Sequence, residues 1–143
     1  MAELARTRFR GPVLDARDAI ELAHFYGALL GWDVKDEAVG ELGSWAIIES
    51  PSGELKMEFQ GADDYTPPMW PNVDGEQQMM MHVDIAVEVL GGDDDPRPRF
   101  FEVVDHAVAL GARVADHQPR QDQFAVLIDP AGHPFCLVPM LCT

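Results

Sequence analysis

QFAVLIDPAGHPFCLVP, residues Gln123 to Pro139, decides the fold. Phe124 to Ile128 is an apolar run too short for a helix, Asp129-Pro130-Ala131-Gly132 has turn chemistry, and Phe135 to Val138 is apolar again, so the stretch reads as a hairpin. The pattern also stands 79 residues earlier: Trp45-Ala46-Ile47-Ile48 falls on Phe124-Ala125-Val126-Leu127, Pro51 on Pro130 and Gly53 on Gly132. The corners repeat too, Leu30-Gly31 with Leu110-Gly111 and Val34 with Val114, at a shift of 80. A shared order of helix, glycine corner, strand and Pro/Gly hairpin predicts two copies of one small unit.

Working outward, the first copy spans 8–60 and opens with a strand over Phe9 to Leu14, whose Gly11-Pro12 fits an edge or a close backbone approach. Asp18 starts a helix as its N-cap, with Glu21 in capping-box position. Leu22, Phe25, Tyr26, Leu29 and Leu30 share one face of that helix, and Gly31 ends it. Strands follow over Trp32 to Asp36, Ser44 to Glu49 and Glu54 to Gln60. The segment 61–78, GADDYTPPMWPNVDGEQQ, is polar and stiffened by Pro67, Pro68 and Pro71, which marks it as a linker. The second copy spans 79–140: a strand over Met79 to Val89, a solvated insertion Gly91 to Arg99, a helix over Phe100 to Leu110, a strand over Arg113 to Asp116, and the closing hairpin. The fold class is α+β, two βαβββ modules in one chain, with their concave sheets forming a shared cleft.

At 143 residues and 47% apolar, the chain can bury a core as one domain, or as two half-domains sharing an interface. A net charge of −15 with Lys35 and Lys56 as its lysines repels phosphate backbones and anionic lipid, which argues against nucleic acid and membrane partners. That field would draw a cationic ligand, or serve solubility alone. No stretch reads as a signal peptide or a membrane span, and Cys136 and Cys142 fit reduced thiols better than a disulfide framework. The expectation is a soluble, cytoplasmic protein. No nucleophile elbow surrounds Ser44, Ser50 or Ser52, and no phosphate loop follows a strand.

The series FYGALLGW, LKMEFQ, MMHVDI and LIDPAGHPFCLVP resembles the vicinal oxygen chelate superfamily, the glyoxalase, bleomycin-resistance and extradiol-dioxygenase group, over Phe9 to Pro139 and especially its glyoxalase-like branch. The resemblance implies a homodimer, a small-molecule ligand and, in metal-using members, four inward side chains from the first and last strand of each unit. Those positions fall here on Gly11, Glu58, His82 and Cys136. Strand alternation places Lys56, Glu58 and Gln60 toward the cleft, opposite Met57 and Phe59. The Glu58 assignment requires the first hairpin to be one residue longer than the second.

Gly11 offers no donor and Cys136 replaces the usual carboxylate, so a hard octahedral ion such as Mg²⁺, Mn²⁺ or Ni²⁺ is left short of ligands. Glu58, His82 and Cys136 could hold zinc with water in the fourth place, while Cys136 could equally be a small buried apolar residue; the cofactor expectation is none. His82 and Asp84 alternate on one strand, either as a base or anchor beside a carboxylate or as a structural polar pair. His133 reads as a turn residue, and His24, His106 and His117 as polar-face or loop residues. Tyr65, Met69 and Trp70 either close a ligand site or pin the units together, and Met79, Met80 and Met81 add adaptable surface.

Two functional readings follow. One is a small-molecule-binding protein with a degraded metal site, of sequestering or biosynthetic-accessory type, its ligand held by Gln60, Tyr65, Trp70, His82, Asp84 and Cys136. The other is a lyase, isomerase or epimerase in which His82 moves a proton with Asp84 or Glu58. A metal-dependent glyoxalase ranks behind both.

Overall fold

The computed structural model describes residues 4–41, 43–90 and 95–142. They form two compact units, 1–63 and 64–143. Each has a four-stranded sheet and one helix, the two βαβββ modules that the duplicated hairpin predicts.

In the first unit, strands β1 (Val13–Ala16), β2 (Asp33–Gly40), β3 (Gly43–Glu49) and β4 (Lys56–Gly61) lie in the order β1-β4-β3-β2. β1 runs parallel to β4, and β2, β3 and β4 are antiparallel. Helix α1 (Ala19–Leu30) starts where expected, because the Asp18 carboxylate accepts from the backbone N–H groups of Ile20 and Glu21 at 3.1 Å. It buries Leu22, Phe25 and Tyr26 with Ile48, Met57 and Phe59, and the Tyr26 and Phe59 rings stack at 5.8 Å. Met57 and Phe59 thus occupy the core while Lys56, Glu58 and Gln60 take the opposite face.

The second unit repeats the plan: β5 (Val83–Leu90), α2 (Arg97–Leu110), β6 (Arg113–Val114), β7 (Ala125–Ile128) and β8 (Pro134–Cys142), ordered β5-β8-β7-β6. Phe100, Val104 and Ala107 of α2 are buried, as are Phe135 and Leu137 of β8. α2 begins at Arg97 rather than Phe100, so the insertion is shorter than its composition suggests; Gly91 to Asp94 lie outside the described residues.

The two hairpins close with the same pair of bonds. Asp129 N–H donates to the His133 carbonyl and Gly132 N–H to the Asp129 carbonyl, both at 2.9 Å. Ser50 N–H donates to the Leu55 carbonyl at 2.9 Å and Gly53 N–H to the Ser50 carbonyl at 2.8 Å. The first turn therefore closes one residue later than the second, which puts Glu58 and Cys136 in equivalent places: Ile47 pairs with Glu58 as Val126 pairs with Cys136.

Both leading strands start later than the sequence suggests. β1 begins at Val13, not Phe9, and β5 at Val83, not Met79. For β1 the cause is local. Pro12 has no N–H to give the ladder, and Gly11 sits at φ +142° with its α-carbon so close to the Lys56 carbonyl that a Cβ would overlap the oxygen. The segment still lies beside β4, with Lys56 N–H donating to the Arg10 carbonyl and Glu58 N–H to that of Pro12.

Candidate functional site

Parallel pairing of β5 with β8 sets Asp84 directly beside Cys136. Phe135 and Leu137 turn into the core, so Cys136 and its neighbours Val126 and Asp84 occupy the other face of the sheet. His82 lies one residue ahead of β5, yet its Nε2 reaches Asp84 Oδ1 at 3.1 Å. The donor atoms of His82, Asp84 and Cys136 all lie within 4.8 Å of one another.

Burial pushes the Cys136 thiol up to about 11, helped by the negative charge of Asp84 and by the hydrogen bond the thiol gives that carboxylate. At neutral pH Cys136 is therefore a protonated donor and a poor nucleophile.

The strap between β4 and β5 builds the wall beside this triad. Trp70 packs on the cluster of Ala115, Val126 and Ile128 together with Phe124 and Cys136, and its indole N–H donates to the His117 carbonyl at 3.1 Å. A pocket of about 120 Å³ remains, lined by Trp70, Met79, His82, Phe124, Val126 and Cys136, with Pro119 at its edge. Its lining is apolar apart from the imidazole and the thiol, with the Asp84 carboxylate next to them.

Tyr65 gives its hydroxyl to the Ala131 carbonyl at 2.7 Å and sits 3.2 Å from His133 Nε2, so it holds the strap to the hairpin and does not line this pocket. In the first unit, Gln60 and Glu58 line a depression of about 300 Å³ with Val13, Trp45 and Ile47. The Arg10 guanidinium forms an ion pair with Glu58. Sequence reasoning missed Arg10, although parallel pairing sets the residue ahead of Gly11 beside the Glu58 strand. It named Phe124 as the head of the hairpin's apolar run but not as a pocket residue.

The hard divalent ion implied by the resemblance does not fit these residues. Gly11 supplies no atom and touches the Lys56 backbone, Glu58 is engaged by a guanidinium, and Cys136 brings a soft sulfur.

The glyoxalase-like domain family model matches residues 12–138. Among solved structures, the chain is similar to a glyoxalase/bleomycin resistance protein from Albidiferax ferrireducens, at 15% identity over 92% of this chain and 98% of that one, with a TM-score of 0.58. It is also similar to the fosfomycin resistance protein FosX from Listeria monocytogenes, complexed with Mn(II) and sulfate ion, at 12% identity over 95% and 94% with a TM-score of 0.63. A glyoxalase-related enzyme from Fulvimarina pelagi aligns at 14% identity over 94% and 89%, also at 0.63. At such identities these likenesses speak to fold and not to reaction. No curated protein sequence matches the chain. With the family model covering both hairpins and both helices of the duplicated plan, the chain belongs to the glyoxalase-like domain family of the vicinal oxygen chelate superfamily.

Proposed function

We propose that the protein binds a small organic molecule on the open face of its second sheet, in a sequestering or biosynthetic-accessory role, without the family's hard metal ion. The observation that carries this reading is the apolar pocket walled by Trp70, with the His82 and Asp84 pair at its edge. At about 120 Å³ it is well below the ~300–1,000 Å³ of a drug-sized site, so it takes one ring or branched group while the rest of the ligand lies across the sheet. The Asp84 carboxylate, in a chain of net charge −15, favours a ligand with a cationic or hydrogen-bond-donating group next to that ring. Copies pairing as a homodimer are part of the same reading, checked by light scattering.

The experiment is a tryptophan fluorescence titration with arylalkylammonium compounds against neutral and carboxylate isosteres. Saturable binding in the order cation, neutral, anion is expected, with the order lost in Asp84→Asn and the signal in Trp70→Phe. Equal binding of all three classes sinks the charge argument, and a response that persists in Trp70→Phe moves the site elsewhere.

The 3.1 Å His82 to Asp84 contact favours a second reading, in which the pair moves a proton beside a substrate carbonyl in a lyase, isomerase or epimerase reaction. His82→Ala separates the two. Turnover lost with binding kept selects the enzyme, whereas weakened affinity with no turnover selects the binder.

A further inference from the structure

The register of the two sheets shows that the His82, Asp84 and Cys136 group is peculiar to the second unit. Val13 stands beside Glu58 where Asp84 stands beside Cys136, and Gly11 lies two residues ahead of Val13 as His82 lies two ahead of Asp84. The first unit therefore offers glycine, an apolar residue and an Arg-paired carboxylate where the second offers imidazole, carboxylate and thiol.

We propose that the second unit by itself holds a thiophilic d10 cation, bound by the Cys136 sulfur, the His82 imidazole and the Asp84 carboxylate, with the Met79 thioether beside them.

Geometry supports this first. Paired Cα positions on parallel strands fix Asp84 and Cys136, and His82 joins them from two residues ahead, leaving the three donor atoms within 4.8 Å. Bonds of about 2.3 Å to sulfur and about 2.0–2.2 Å to nitrogen and oxygen around one ion need only modest closure from there, available to the partly exposed His82 and Asp84 side chains.

Donor chemistry supports it second. Sulfur with imidazole selects zinc-like or cuprous ions over Mg²⁺ or Mn²⁺, and a thioether pulls the set toward Cu(I). Met79 and Cys136 line one pocket with His82, and the aromatic and aliphatic rest of that pocket offers no oxygen for a hard ion. When the sulfur to metal bond forms, the thiol proton leaves to solvent and no electrons change hands. The proposal shares a face with the binding reading but does not rest on it, since no arylammonium compound enters the test.

The test titrates the full apo chain with Cd(II) as the spectroscopic probe, then with Zn(II), anaerobic Cu(I) and Mn(II) against competing chelators. One equivalent of Cd(II) should give a thiolate-to-metal absorption band that vanishes in Cys136→Ser. Affinity should fall about tenfold or more in Asp84→Asn and His82→Ala and stay unchanged in Glu58→Gln. Both named ions fit the proposal: weaker Cu(I) binding in Met79→Leu with Zn(II) unaffected assigns the cuprous ion, and indifference of both to Met79→Leu leaves the thioether outside the ligand set and assigns whichever of the two ions binds more tightly. No thiolate band, a band that survives Cys136→Ser and is lost in Cys142→Ser, or Mn(II) binding that needs Glu58 would each overturn it. Asp84→Asn, at an exposed carboxylate, keeps the test readable if Cys136→Ser folds poorly.

Discussion

Asp84 and Cys136 stand side by side on parallel strands, and the Cys136 thiol is held protonated by its own burial and then by the Asp84 carboxylate beside it. Burial is the larger cause, so Asp84→Asn should lower the alkylation midpoint of Cys136 from about 11 only partway toward the ordinary value of 9.0. The pH dependence of iodoacetamide labelling, with Cys142→Ser as background, measures it. A midpoint that does not move removes Asp84 from the thiol's surroundings.

The same shift predicts how stability depends on pH. The thiol is protonated in both states below pH 9, and its folded pKa lies above its unfolded one. As pH rises from about 9 to about 11 the unfolded chain loses a proton that the folded chain keeps, so stability falls across that window. Denaturation midpoints at pH 8 and pH 10.5 should drop less in Cys136→Ser than in the parent. An identical drop would mean that other groups carry the effect.

Much of this architecture was legible because local chemistry and global plan agree. The Asp18 cap, the Gly31 corner and the Pro/Gly hairpins specify their turns by side-chain and backbone preference alone, so the duplication shows directly in the sequence. What stayed hidden depends on strand register. The triad needs the alignment of Asp84 with Cys136 between parallel strands far apart in sequence, and alternation can report a face but not a partner. The strap was equally opaque. Nothing in Tyr65 or Trp70 states that one would anchor on Ala131 and the other on His117.

Gly132 should be the costlier of two glycines to replace. It sits at φ +95°, and a Cβ there would lie 2.6 Å from the Pro67 Cβ, so Gly132→Ala strains the turn and pushes the strap outward. Gly31, at φ +69°, has open space where a Cβ would stand, with nothing within 4 Å, and carries the conformational cost alone. Urea denaturation should show a loss of about 1 kcal/mol for Gly31→Ala and about 2–3 kcal/mol for Gly132→Ala. Equal losses would mean that the strap does not press on the hairpin.

Variants at two strap residues separate holding from recognising. Tyr65→Phe removes one hydroxyl that donates to the Ala131 carbonyl and should cost about 1 kcal/mol of stability while leaving arylammonium affinity alone, because Tyr65 does not line the pocket. Trp70→Ala removes a partly buried indole that packs on Val126 and Cys136 and walls the pocket, so it should cost both stability and affinity. Trp70→Phe restores some packing without the indole N–H, and should recover stability ahead of the ligand response. Ligand binding is followed by calorimetry, since two of the three variants lose the reporting fluorophore. If Tyr65→Phe weakens the ligand as much as Trp70→Ala does, the strap is one cooperative lid and the pocket is not built by Trp70 in particular.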